Sequence, residues 1–356
     1  MALSPSTPKA IEQAAEILRR GGLVAFPTET VYGLGADAAN DGAVGRIFAA
    51  KGRPTDHPLI VHLGATDQIG RWAREVPAAA WLLAARFWPG PLTMILRRAP
   101  GVSDAVTGGQ DTVGLRVPDH PVALALLNTF GGGIAAPSAN RFGRVSPTTA
   151  AHVLGEFGDD VDWVLDGGAC AVGLESTILD LSGQAPRLLR PGAVTPGALA
   201  ETLGEPPSTR TAGAPRAPGG FPSHYAPDTP LQLVETTAIE RTVRSFLAVQ
   251  QSVVVLSQHS PATGHADCRW SMMPADPREY GQVFYARLRE VDTWNCRRIL
   301  VESPPATKEW QAVRDRLERA AGDRQDKRGA SEANVGDLSL RTSEQTRFLR
   351  TPEQTR

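Results

Sequence analysis

Four cations in this chain stand where chemistry can use them. Lys51 and Arg53 flank a glycine in Lys51-Gly52-Arg53-Pro54-Thr55-Asp56-His57-Pro58-Leu59-Ile60-Val61-His62. Arg116 is embedded in the apolar run Thr112-Val113-Gly114-Leu115-Arg116-Val117-Pro118, and Arg190 ends Leu188-Leu189-Arg190 before Pro191-Gly192. Hydroxyls keep them company: Thr28 and Thr30 in one segment, Ser138 and Ser146 in a second, Ser176 in a third. Arginine presents a planar fork to phosphate or carboxylate oxygens, and lysine presents a point charge. An arginine set among apolar residues needs a partner, either a structural carboxylate or a ligand. Ser138 has no Gly-x-Ser-x-Gly context and no histidine at a telling distance, so a nucleophilic serine is not expected. The chain also lacks a Walker loop and a carboxylate cluster for two metals. What remains is an anion site of Lys51, Arg53, Arg116 and Arg190, rimmed by hydroxyls and without an acid–base pair. Such a set suits a triphosphate better than a nucleic-acid backbone, because it gathers at strand ends and forms no stripe.

These residues need a rigid frame. Hydrophobic periodicity predicts a helix opened by Thr7-Pro8 and stopped at Gly21-Gly22, then a strand from Leu23 to Phe26. That strand runs into Pro27-Thr28-Glu29-Thr30-Val31-Tyr32-Gly33-Leu34-Gly35, a hydroxyl-rich turn where open α/β sheets bind ligands. A short helix from Ala43 to Ala50 and a strand from Leu59 to Leu63 bracket the Lys51 loop. Helices are expected over Thr66 to Arg74 and Pro77 to Phe87, with Trp81, Leu82, Ala85 and Trp88 in the core. Strands at Thr93 to Arg97, Thr112 to Pro118, Ile134 to Ala136, Asp162 to Asp166, Thr177 to Asp180 and Leu188 to Arg190 complete the first domain, with helices between several of them.

At 356 residues the chain favours two domains. The expected division is a catalytic domain over 1–205, a Pro/Gly-rich linker over 206–229, an α/β domain over 230–322 and a polar tail over 323–356. The linker contains Phe221, His224 and Tyr225, which a mere spacer does not need. The tail repeats Arg341-Thr342-Ser343-Glu344-Gln345-Thr346-Arg347 as Arg350-Thr351-Pro352-Glu353-Gln354-Thr355-Arg356, and its polarity predicts disorder. A net charge of -1 gives no basic footprint for nucleic acid. Three scattered cysteines fit a reducing compartment. With no signal-peptide pattern and no long apolar stretch, a cytoplasmic protein without membrane contact is expected.

Five motifs together resemble the YrdC-like family: Phe26 to Leu34, Lys51-Gly52-Arg53-Pro54 with Pro58 to His62, Pro137-Ser138-Ala139-Asn140, Glu175-Ser176-Thr177 and Leu189-Arg190-Pro191-Gly192. The second domain and linker resemble the family's long, two-domain form. The resemblance implies an open twisted sheet with helices, followed by a smaller Rossmann-like α/β domain. It implies a nucleotidyltransferase that condenses L-threonine, bicarbonate and ATP, with Mg2+, to threonylcarbamoyl-adenylate and pyrophosphate. A separate tRNA threonylcarbamoyl transferase complex would then modify adenosine 37, so no stable nucleic-acid binding is expected here. Carried over residue by residue, Thr30, His62, Arg116, Ser176 and the Ala136 backbone would hold threonine, with Arg116 on its carboxylate. Lys51, Arg53, His57, Thr112, Ser138, Asn140, Ser146, Arg190 and Tyr225 would hold ATP, with Lys51 and Arg53 as the catalytic cations.

Two departures accompany the match. Many relatives carry asparagine where this chain has His57. The family's linker motif, Ser-Pro-Gly-Met with basic and aromatic residues following, appears here as Ala217-Pro218-Gly219-Gly220-Phe221-Pro222-Ser223, while His224-Tyr225-Ala226-Pro227 is retained. Two other classes of function are an RNA-binding module gripping RNA in a basic concavity and a carbamoyl-adenylate-forming relative. Net charge and few aromatics oppose the first, and no carbamoyl-phosphate site is visible for the second.

Overall fold

The computed structural model describes residues 4–210, 212–219, 224–262, 264 and 266–322. The polar tail and Phe221 lie outside the described residues. The first helix starts as its sequence requires: Thr7 Oγ1 accepts from the Ala10 amide at 3.2 Å, Pro8 opens Pro8–Arg19, and Ala14, Ala15 and Leu18 are buried.

A ten-stranded mixed sheet forms the body of the first domain. Its strands are β1 (Ser4–Pro5), β2 (Val24–Phe26), β3 (Gly33–Asp37), β4 (Ile60–His62), β5 (Leu92–Arg97), β6 (Thr112–Arg116), β7 (Ile134–Ala135), β8 (Trp163–Asp166), β9 (Thr177–Asp180) and β10 (Arg187–Arg190). They lie in the order β1-β8-β2-β3-β7-β4-β6-β5-β9-β10. The second domain holds four parallel strands, β11 (Leu231–Val234), β12 (Val253–Ser257), β13 (Cys268–Met272) and β14 (Arg298–Glu302), ordered β11-β14-β12-β13. The mixed α/β class is therefore as expected. Among the described residues no helix is long and apolar enough to cross a membrane.

Several elements differ from the sequence expectation. Strand β3 emerges from what reads as a turn, because its glycines lower β-propensity. They are there for packing: a Cβ on Gly35 would sit 2.8 Å from the Phe26 ring and from Ile134. The Thr66 to Arg74 helix is a 3-10 turn over Thr66–Gln68 and one α-turn over Ile69–Trp72, after which Ala73 bridges to Arg98. In helix Ala78–Phe87 the buried face is Ala80, Leu83 and Ala84, which packs toward helix Pro196–Leu203. Trp81 and Leu82 are 44% and 57% exposed and Ala85 is exposed, so three of the four side chains expected in the core face outward. Trp88 alone is buried, with Nε1 donating to Leu92 O at 2.7 Å.

The Pro/Gly-rich segment binds the first domain closely. Arg216 Nη2 donates to Gly108 O at 2.7 Å and the Arg216 amide to Gln110 Oε1 at 2.6 Å. Farther on, the Ala226 amide donates to Gly143 O at 2.9 Å, and His224 and Tyr225 are buried.

Candidate active site

The sheet brings the site together by register. The parallel β4–β6 ladder sets His62 beside Arg116, and antiparallel β7 leads to Ala136, whose amide donates to Ile60 O at 2.9 Å. Thr30 follows β2 and Ser138 follows β7, the latter bridged to Gly33. The β9–β10 pairing shifts register between Leu188 and Arg190, a local irregularity of the kind that re-aims a side chain. Arg190 turns onto Ser176, its Nε donating to Ser176 O at 3.0 Å and its Nη2 to Ser176 Oγ at 3.1 Å. The turn after Arg190 needs glycine, since a Cβ on Gly192 would meet the Thr177 amide at 2.5 Å and Glu175 O at 2.8 Å.

A cavity of ≈ 50 Å³ results. Its wall includes Thr30, Arg53, His62, Arg116, Ala136, Ser138, Ser176, Arg190 and Tyr225 from the predicted set, together with Glu175 and, from the linker, Pro218, Gly219 and His224. Several buried polar atoms along it have no hydrogen-bond partner among the described residues: His62 Nδ1, Arg53 Nε and Tyr225 Oη. Unsatisfied buried polar atoms are rare, and their gathering in one cavity marks a place built for a polar ligand. Tyr225 is also held at a φ of 63°, a left-handed conformation uncommon for a bulky residue.

Electrostatics divide the site. Burial lowers the Arg53 pKa to about 10, with Arg190 adding to the effect, so Arg53 stays cationic at neutral pH. Burial beside Arg116 holds His62 at about 3, and burial likewise brings His224 to about 3; both rings are neutral. Lys51 is pushed well below the ordinary lysine range by burial and then by Arg53.

Five predicted residues do not line this cavity. Lys51 Nζ donates to Ser138 O at 2.6 Å and also to Asn140 O, so it clamps the 137–140 loop. Asn140 Nδ2 donates to Arg141 O and Arg144 O at 2.7 and 2.9 Å, which orders the same loop. Ser146 Oγ donates to Glu175 Oε1 at 2.6 Å. Thr112 lines a smaller neighbouring cavity with Gln110, Arg216 and Pro218. His57 stacks at an angle on Phe142, ring centroids 5.5 Å apart.

Arg116 already has an acidic neighbour. Glu29 Oε1 lies 2.6 Å from its Nη2, Thr30 Oγ1 accepts from Nη1 at 2.9 Å, and Gly90 O accepts from Nε at 3.2 Å. Sequence reasoning missed Glu29 in this role, although an arginine in an apolar strand asked for such a partner. It also missed Tyr285 and Arg316 of the second domain. Tyr285 Oη and Arg316 Nε donate to Glu175 Oε2 at 2.9 and 2.8 Å. The available signal was helical spacing, which sets Arg316 on the face of Val313, Leu317 and Ala320.

Comparison with known proteins bears on the family of the whole chain. A family model described as telomere recombination matches residues 16–192, and one described as threonylcarbamoyl-AMP synthase, C-terminal domain, matches residues 194–322. A Pyrococcus abyssi threonylcarbamoyl-AMP synthase is 39% identical over 324 residues, covering 88% of this chain and 94% of that protein. The Bacillus subtilis protein of the same name is 40% identical over 331 residues, covering 90% and 95%. The crystal structure of Pyrococcus abyssi Sua5 complexed with L-threonine superposes with a TM-score of 0.83 at 36% identity, covering 90% of this chain and 98% of that one. Both domains and their order are thus shared over nearly the whole length, and the chain belongs to the threonylcarbamoyl-AMP synthase family.

Proposed function

We propose that the chain is an L-threonylcarbamoyladenylate synthase, a nucleotidyltransferase whose substrates are L-threonine, bicarbonate and ATP. The observation that carries this reading is the cavity that gathers Arg53, Arg116 and Arg190 with Thr30, His62, Ala136, Ser138 and Ser176. Threonine binds with its carboxylate on Arg116; Glu29 balances that charge in part and orients the guanidinium. ATP binds against Arg53, Arg190, Ser138 and Tyr225. Bicarbonate carbamylates the threonine amine with loss of water. A carbamate oxygen then attacks the α-phosphorus, and pyrophosphate leaves toward Arg53 and Arg190. Charge stabilisation of this kind is worth roughly 10²–10³-fold per donor. Lys51 acts from behind, holding the 137–140 loop and hence Ser138 in place. His57, Thr112, Asn140 and Ser146 support the same nucleotide loops from outside the cavity.

Mg2+ has no protein cage here. Among the described residues no three His, Cys, Asp or Glu side chains are grouped to hold a metal, and Glu29 and Glu175 are both paired with arginines. The residues present do not fit a resident ion, and Mg2+ would arrive on the phosphates of ATP.

Pro218, Gly219, His224 and Tyr225 of the linker form part of the cavity wall. There they help to keep water from the labile adenylate. The product passes to a tRNA threonylcarbamoyl transferase, and the chain itself forms no stable complex with nucleic acid. Mass spectrometry after incubation with ATP, threonine and bicarbonate tests the reading. Threonylcarbamoyl-AMP is expected only when all three are present. AMP or ADP without that adduct would refute it.

A further inference from the structure

We infer that Arg316, in the second domain, is a positioning residue for Arg190 of the first domain. Glu175 and Pro191 bracket the Ser176–Arg190 contact in sequence, one preceding Ser176 and the other following Arg190. Arg316 ties these two brackets together. Its Nε donates to Glu175 Oε2 at 2.8 Å and its Nη2 to Pro191 O at 3.0 Å. The guanidinium is fully buried, lies 5.4 Å from the centre of the Tyr225 ring, and is joined on Glu175 by Tyr285 Oη. The far oxygen of Glu175 takes the Ser146 hydroxyl. One carboxylate thus receives groups from both domains, and one guanidinium sets the spacing between the strand ends that carry Ser176 and Arg190.

Charge pairing alone would be met by lysine. Spanning a carboxylate and a carbonyl on separate strand ends needs the planar fork, which lysine does not have. The second domain therefore supplies geometry to the site of the first. Without Arg316, Arg190 still stands in the cavity, but its angle to the phosphates is no longer fixed, and a displacement of about 1 Å can cost about 100-fold.

The inference rests on the synthase reading for the identity of the ligands, and its test separates the two. Full-length Arg316→Lys and Arg316→Met are compared with wild type and with Arg314→Met, a partly exposed neighbour on the same helix. The readouts are pyrophosphate release, ATP affinity by calorimetry, and thermal melting. Arg316→Lys is expected to melt with Arg314→Met yet to lose about 10- to 100-fold in kcat/KM for ATP. Combined with Arg190→Ala, it should add almost nothing to the loss from Arg190→Ala alone, because it acts through that residue. Wild-type kcat/KM in Arg316→Lys, or losses that sum in the double variant, would overturn the inference. Should wild type bind ATP without forming the adduct, the synthase reading falls and the ATP Kd of Arg316→Lys decides the positioning role. If Arg316→Met fails to fold, the lysine variant decides alone.

Discussion

Both domains end a row of strands on a buried glutamate, and the two glutamates are served in opposite ways. Glu302, at the end of β14, accepts from Thr236 Oγ1, Ser257 Oγ, the Gln258 amide and His259 Nδ1, all within its own domain. Hydrogen bonding outweighs burial and keeps its pKa low. Glu175, before β9, faces Arg316 and Tyr285 from the other domain and Ser146 from its own. The Glu302 oxygens are all satisfied, and near them only the buried Tyr280 hydroxyl has no hydrogen-bond partner among the described residues. Beside Glu175 such atoms gather on one cavity wall: His62 Nδ1, Arg53 Nε and Tyr225 Oη, with Arg53 and Arg190 bringing positive charge. A strand end in an α/β sheet is thus a good place for a ligand only where polar groups remain unspent.

The comparison breaks most visibly if the Glu175 carboxylate is removed. Glu175→Ala leaves Arg316 buried without its anion, and a melting curve should show a loss of about 3–5 kcal/mol together with lost adenylate formation. Arg190→Ala or Arg53→Ala removes one cation from the phosphate side. Pyrophosphate release is expected to fall roughly 10²–10³-fold, equivalent to about 2.7–4 kcal/mol in the transition state. Normal release by a folded variant would take that residue out of the nucleotide site.

Acid should act on the catalytic side first. A histidine held at about 3 when folded and near 6.5 when unfolded takes up its proton more readily in the unfolded chain. His62 and His224 therefore give full stability above 6.5, and that contribution is lost progressively as pH falls toward 3. Each loses on the order of 1 kcal/mol in the first pH unit. Melting against pH should show this slope, and it should flatten in a His62→Gln variant; an unchanged slope would contradict it. The smallest effect belongs to Glu302→Gln. It keeps part of the local hydrogen bonding, so about 1 kcal/mol of stability is expected to go, with kcat/KM unchanged.

Much of this was legible in advance because strand ends and their cations sit next to each other in sequence. The β4, β9 and β10 motifs announced His62, Ser176 and Arg190, and the cavity brings them together with Arg53 and Arg116. Residues placed by long-range packing were not legible. Lys51 reads as a phosphate ligand but spends its amine on loop carbonyls, since burial makes a solvated charge costly there. Arg316 is buried against a domain more than a hundred residues away in sequence, and only tertiary structure reveals its pairing with Glu175. Strand β3 was hidden by its glycines, and helix Ala78–Phe87 had its faces exchanged because small alanines pack inward while Trp81 and Leu82 point out.

The central claim is that ligands belong at the strand ends of the first domain, where cations and unpartnered polar atoms gather, and not at the Glu302 end of β14 in the second. Hydrogen–deuterium exchange of the full chain, with and without ATP plus threonine, addresses it directly. Protection is expected over residues 51–62, 137–146, 174–191 and 224–226, with none over 257–259 or 302–306. Protection confined to the second pair of segments would contradict the account.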